Sequence, residues 1–160
     1  MNPTRLYPLL LAAVGAGALV MAYVAQYGFD LEPCILCLYQ RIPYAVVAIL
    51  GFIGMRWPHM VRHVFALAAL VFVAGAAIAF YHVGVEQNWW ASATGCTGEL
   101  SASLTTADLL QSLESAPPKP CDAVDWTVFG VSMAGWNVVF SSIAAAAALY
   151  ARARLQENLR

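Results

Sequence analysis

Four stretches of this chain run for about 20 residues without a polar face, the length that a roughly 30 Å hydrocarbon layer demands of a helix. They extend from Leu6 to Tyr27, Leu38 to Met55, His63 to His82 and Phe129 to Ala151. A helix in a soluble domain buries one stripe and wets the other, so apolarity on every face points to lipid. Backbone groups in lipid must be satisfied within the segment, which for uninterrupted runs of this length favours helices over barrel strands. The composition agrees: 61% of residues are hydrophobic and 11% charged, a balance that soluble domains do not show. Arg5 ahead of the first run imitates a secretory signal, but the run exceeds the roughly 7 to 15 residues of a signal core and is expected to be retained. The expected fold is all-α, a four-transmembrane-helix bundle forming a single domain over 1–160. Its helices cover 6–27, 38–55, 63–82 and 129–151, and loops 28–37 and 83–128 share one face.

Charge orients the bundle. Arg5, Arg56, Arg62, Arg152, Arg154 and Arg160 flank the apolar runs on the face that carries both termini, which the positive-inside bias makes cytoplasmic. Arg41 and Lys119 fall on the other face, among eight acidic residues. The net charge of −1, with no basic patch beyond the cytoplasmic flanks, gives no case for nucleic acid. The expected location is a bacterial inner membrane, crossed several times, with lipid and lipid-soluble molecules as neighbours and a monomer as the simplest assembly.

All four cysteines, Cys34, Cys37, Cys96 and Cys121, fall on the outer face, where a periplasm lets disulfides persist. Four cysteines allow three connectivities; proximity favours Cys34 with Cys37 and leaves Cys96 with Cys121, although exchange between the pairs visits the others. A Cys96–Cys121 link closes a loop of about 25 residues and has a structural reading worth roughly 3 to 4 kcal/mol in the chain-entropy model. A Cys34–Cys37 link closes almost no loop, so reactivity is its better explanation. In the long loop, Trp89 and Trp90 suit an interfacial anchor, and Leu104, Leu109, Leu110 and Leu113 suggest a short amphipathic helix resting on the membrane. The proline-rich stretch from Ala116 to Pro120 ends it and keeps Cys121 in an extended segment.

If the second helix begins near Cys34, then Cys34, Cys37 and Arg41 lie at i, i+3 and i+7 on one face. The helix N-terminus and the guanidinium both favour a thiolate, the reactive form of cysteine. Arg41 sits about one turn into apolar sequence, where a charge is costly without an anionic partner; snorkelling is the plain alternative. His82 ends the third run on the same side, as a donor to a cofactor oxygen or as an interfacial histidine without a role. Haem attachment is excluded because Leu38, not histidine, follows Cys37. A zinc site of all four thiols lacks the close spacing of a zinc knuckle, and no metal site is expected. Electrons leaving the thiols then require a lipid-soluble acceptor, for which a quinone is the natural candidate. Against this stands a non-catalytic reading, a membrane scaffold or small transporter with two structural disulfides. Gly15, Gly17 and the Ala144–Ala148 stretch, which favour close helix packing, motivate it.

The run Pro33-Cys34-Ile-Leu-Cys37-Leu-Tyr39-Gln40-Arg41 resembles the DsbB family of disulfide-generating membrane proteins. So do Tyr81-His82 at the end of the third run, the second outer cysteine pair, and Trp126 through Gly130-Val-Ser132-Met133 to Trp136-Asn137. The resemblance covers essentially the whole chain and implies a relay. A periplasmic thioredoxin-fold oxidase of DsbA type attacks Cys96, the freed Cys121 attacks Cys34, and Cys37 beside Arg41 passes electrons to ubiquinone or menaquinone. Glu86 stands one turn after His82, where some members of the family carry a neutral amide.

Overall fold

The computed structural model describes residues 3–94, 96, 119–124 and 126–157. Four helices in it are long and apolar enough to cross a membrane, so the protein is an all-α, multi-pass membrane protein. The first is α1, Pro3–Gly28. A short helix α2, Ile35–Tyr39, leads into α3, Arg41–Arg56, and the two together make the second span. A single tight turn, Pro58–Met60, turns the chain into α4, Val61–Glu86. Strands β1, Thr127–Val128, and β2, Val131–Ser132, pair antiparallel just ahead of α5, Met133–Glu157. The amphipathic helix expected around Leu104–Leu113 lies outside the described residues.

Two departures from the expected boundaries have local causes. The second span starts at Ile35 rather than Leu38 because Cys34 caps it, its side chain accepting from the Cys37 N–H, and it loosens at Gln40 because Pro43 has no N–H for the Tyr39 carbonyl and its ring crowds that same carbonyl. The fourth helix starts at Met133 rather than Phe129. Phe129 and Gly130 both have positive φ, +53° and +77°, which closes the β1–β2 hairpin and is incompatible with helix.

The helices pack chiefly as two pairs, α1 with α3 and α4 with α5, joined through α3 against α4. Small residues set the closeness of the first pair. A Cβ on Gly15 would lie 2.6 Å from the Ala48 nitrogen and the Tyr44 oxygen, and one on Gly51 would overlap the Ala12 backbone, while Gly54 faces Pro8. These contacts follow one antiparallel register, and lipid offers no hydrophobic drive between helices, so such interlocking carries the association. Gly17, by contrast, faces open space. The main core gathers Leu11, Val47, Val64, Phe72, Ala145 and Leu155, whereas Met21, Ile49, Phe52, Leu70 and Ile143 stand exposed on the outside, as lipid contact requires. A second, smaller cluster lies at the end of the bundle where α2 meets the end of α4: Cys34, Leu36, Val85 and Cys121 are buried there, with Cys37, Tyr81 and Cys96 against them.

Candidate functional site

The second cluster brings all four cysteines together. Cys96 and Cys121 form a disulfide, while Cys34 and Cys37 are free thiols with their sulfurs 2.9 Å apart. The inner pair is therefore present as a dithiol, not as the disulfide that proximity favours, and the outer pair is linked as proximity favours. Cys34 caps the N-terminus of α2, its sulfur accepting from the Cys37 N–H at 3.2 Å. Cys34 and Cys121 are almost wholly buried, whereas Cys37 and Cys96 retain access.

His82 ties the two pairs to each other. It sits a full turn inside the end of α4 rather than closing it, and its Nε2 lies 3.6 Å from the Cys34 sulfur and 3.2 Å from the Cys121 carbonyl oxygen. On the other edge of the ring, the Gln40 side-chain amide donates to Nδ1 at 2.7 Å. With Nδ1 an acceptor, a neutral His82 carries its proton on Nε2, directed at Cys34 and the Cys121 carbonyl. Gln40 is fixed in turn: its oxygen accepts from the Asn137 amide, whose own oxygen accepts from the Tyr44 and Ser141 hydroxyls. The loosened turn at Gln40 is what aims this side chain across to α4 and α5. Three donors thus converge on the Cys34 sulfur, the Cys37 thiol, the Cys37 N–H and His82. The hydrogen bond shared with Cys37 foremost, with His82 next among the favourable contacts, holds the Cys34 thiol well below the ordinary thiol range in spite of burial.

Glu86 is one turn beyond His82 on α4, its carboxylate 3.9 Å from Nε2 and accepting from the Ser132 hydroxyl of β2. The hairpin ahead of α5 therefore has a side chain on the site. Cys96 is held by the segment that leaves α4. Trp90 folds back to lie on Gly84, stacks on Tyr81 with ring centroids 5.9 Å apart, and donates from its indole to the Tyr81 carbonyl at 3.0 Å. Ser92 and Thr94 hydroxyls then sit 3.0 Å from the Cys96 sulfur. The Cys121 N–H closes the link by donating to the Cys96 carbonyl.

Arg41 goes elsewhere than the thiol stripe expected of one continuous helix. Its guanidinium donates to the Gln26 side chain at 2.6 Å and lies 4.9 Å over the Tyr23 ring, both on α1. The break at Gln40 separates the register of α2 from that of α3. Beside the site, an apolar cleft of about 660 Å³ opens between the second span and α4, lined among others by Leu36, Tyr39, Pro43, Val46, Ile78 and Tyr81. Its lining is apolar apart from the Tyr39 and Tyr81 hydroxyls and Thr94, which suits a lipid-soluble ring or chain.

Gln40, Asn137, Ser141 and Tyr44 were not singled out for chemistry by sequence reasoning. The signal that finds them is a polar side chain inside an otherwise apolar span, where it needs a partner and marks a site.

The chain matches the family model described as "Disulfide bond formation protein DsbB" over residues 4–151. It is 32% identical over 142 residues to Disulfide bond formation protein B of Xanthomonas campestris pathovar campestris, covering 85% of this chain and 83% of that protein. The protein of the same name from Aromatoleum aromaticum is 30% identical over 158 residues, covering 94% and 93%. The one from Azoarcus is 30% identical over 161 residues, covering 92% and 93%. No solved structure gives a significant match.

Proposed function

Since the chain belongs to the DsbB family and is a membrane oxidoreductase of disulfide-bond formation, we propose that it reoxidises a periplasmic thioredoxin-fold oxidase of DsbA type and delivers the electrons to membrane ubiquinone or menaquinone. The observation that carries this reading is His82, whose Nε2 meets both the Cys34 sulfur and the Cys121 carbonyl and so seats the inner thiols against the outer disulfide. The scaffold reading has no comparable support.

The relay runs through four exchanges, each an attack of a thiolate on a disulfide sulfur. A thiolate of the reduced partner attacks Cys96, the more accessible sulfur of the outer pair, and Cys121 leaves as thiolate. Cys121 attacks Cys34 of the inner disulfide, expelling Cys37 as thiolate. The partner's second thiol then attacks its own sulfur in the mixed disulfide, leaving as an oxidised partner and freeing Cys96. Cys96 attacks Cys121 in the Cys34–Cys121 link, which restores the outer disulfide and releases Cys34. Two electrons have moved from partner to inner pair, and the outer disulfide beside an inner dithiol is the arrangement seen here. His82 serves this sequence by stabilising Cys34 as a leaving thiolate, since a donor held by Gln40 costs no reorientation when the charge appears.

A quinone, when bound, supplies the two-electron sink that returns the inner pair to a disulfide. The residues present fit such a group: the apolar cleft along Leu36, Tyr39 and Pro43 begins at the helix that carries Cys37 and opens toward lipid. Arg41 is proposed to hold its polar end, moving from Gln26. His82, engaged by Cys34 and Cys121, is assigned to the thiols first and to quinone only through them. The arginines at the opposite end of the bundle support cytoplasmic termini in an inner membrane and a periplasmic position for the cysteines.

Purified protein is expected to oxidise a reduced DsbA-type partner only when quinone is supplied, and Cys37→Ala is expected to abolish that turnover. Quinone-dependent turnover that survives Cys37→Ala contradicts the proposed electron exit.

A further inference from the structure

Cys34 Sγ, Cys37 Sγ and a ring nitrogen of His82 all lie within 4.8 Å of one another, and Nε2 is the nitrogen that faces Cys34. Two thiols and an imidazole are the donor set of a Cys2His centre, with one position left open. A tetrahedral ion with Zn–S near 2.3 Å and Zn–N near 2.0 Å sets sulfur and nitrogen about 3.5 Å apart and the two sulfurs about 3.8 Å apart. The Cys34–His82 distance is already 3.6 Å. The sulfurs, at 2.9 Å, must part by about 0.9 Å, a small rotation for Cys37 at its half-open position. Soft thiolates with imidazole select Zn²⁺ or Cd²⁺ over hard cations, and the Glu86 carboxylate 3.9 Å from Nε2 adds negative charge to the site.

We propose that the reduced inner pair and His82 form a binding site for a soft divalent cation of the zinc class, present only while Cys34 and Cys37 are unlinked. Both sulfurs bind as thiolates, so the proton carried by Cys37 goes to solvent, and no electrons move. When the sulfurs are joined at about 2.05 Å, neither is a thiolate and the site is gone.

The hydrogen-bond network accommodates the change in His82. An ion on Nε2 requires the ring proton on Nδ1, and that proton requires an acceptor. Gln40 provides one by turning its amide, which presents its NH₂ to Asn137; Asn137 turns likewise and presents its NH₂ to Tyr44 and Ser141. Those two hydroxyls accept as readily as they donate, so the chain from Gln40 to Ser141 inverts, and the bond given up is the one from Nε2 to the Cys121 carbonyl. A metal-bound inner pair cannot be reoxidised, so zinc traps the protein with its outer disulfide intact. Only this inhibitory consequence rests on the function proposed above; the binding does not.

The test uses the full chain in detergent micelles with Cys96→Ser and Cys121→Ser together, leaving Cys34 and Cys37 as the only thiols. Reduced and diamide-oxidised samples are titrated with Co²⁺ as the probe and back-titrated with Zn²⁺. The expected result is one Co²⁺ per reduced chain with thiolate-to-cobalt absorption, erased by Zn²⁺, none in the oxidised chain, and at least tenfold weaker binding in His82→Ala. Absence of thiolate-to-cobalt absorption in the reduced chain overturns the proposal, as does equal binding by the oxidised chain or binding indifferent to His82→Ala. In the wild-type protein, absent quinone-dependent turnover would count against the proposed function alone, because the cobalt titration reads the site without it.

Discussion

Replacing His82 by Leu removes a ring of similar size and, with it, the acceptor of the Gln40 amide. Gln40 is only 8% exposed, so its Nε2 becomes an orphaned buried donor, at a cost of about 1–3 kcal/mol. Gln40→Leu strands the Asn137 amide and unpairs His82 Nδ1 at a similar cost. In Gln40→Leu/His82→Leu, the pair that faced each other is gone from both sides; Asn137 remains unsatisfied, and the Cys121 carbonyl lacks its donor just as in the His82 single variant. The double variant is therefore expected to fall short of the summed singles by about 1–3 kcal/mol, within the usual coupling range for contacting residues. Unfolding of the inner-reduced protein in micelles measures all three. The same His82→Leu change withdraws one of three donors from the Cys34 thiolate. A charge-assisted bond at 3.6 Å is worth about 1.5 kcal/mol, so the pH midpoint for alkylation of Cys34 is expected to rise by about one unit. Additivity within roughly 0.5 kcal/mol, together with an unmoved midpoint, would refute the assignment of His82 as the link between Gln40 and Cys34.

Further outcomes follow from the same geometry. In the wild-type reduced protein, Cys34 is a lowered acid, so its alkylation is expected to persist as the pH falls below the ordinary thiol range near 8.5, and to be lost only as the pH drops through the lowered value; a midpoint at or above 8.5 contradicts the convergence of donors. Gly51→Leu is expected to force α1 from α3 and to lower the unfolding transition in micelles by at least the roughly 1–3 kcal/mol of an overpacked contact, whereas Gly17→Ala, facing open space, is expected to be neutral or slightly stabilising. Cys121→Ala leaves Cys96 without its intramolecular partner, and the variant is expected to accumulate a mixed disulfide with a DsbA-type oxidase, seen as a reductant-sensitive band on non-reducing gels.

The four spans were legible because apolarity on every face over such lengths has one physical solution in a chain of this composition. The Phe129-Gly130 turn delayed the start of the last helix, while α4 ran a turn past His82 to Glu86 and the last helix ran on to Glu157, where apolarity no longer marks the end. Cys34 and Cys37 were legible from spacing, and their nearness to the outer pair from topology. The direction of Arg41 was not, since a stripe at i, i+3 and i+7 presumes an unbroken helix and Pro43 loosens this one at Gln40. The Gln40–His82 and Asn137–Tyr44 bonds join residues 42 and 93 positions apart, and no local pattern encodes such a contact. Their sole trace is polarity in the middle of apolar sequence.

The central claim is that electrons pass between the pairs through Cys34 and Cys121, which share one buried cluster. Cys37→Ser/Cys96→Ser leaves those two thiols as the only ones in the chain. On mild oxidation, peptide mapping by mass spectrometry is expected to find an intramolecular Cys34–Cys121 disulfide in high yield. Two free thiols, or links only between different chains, would contradict the relay.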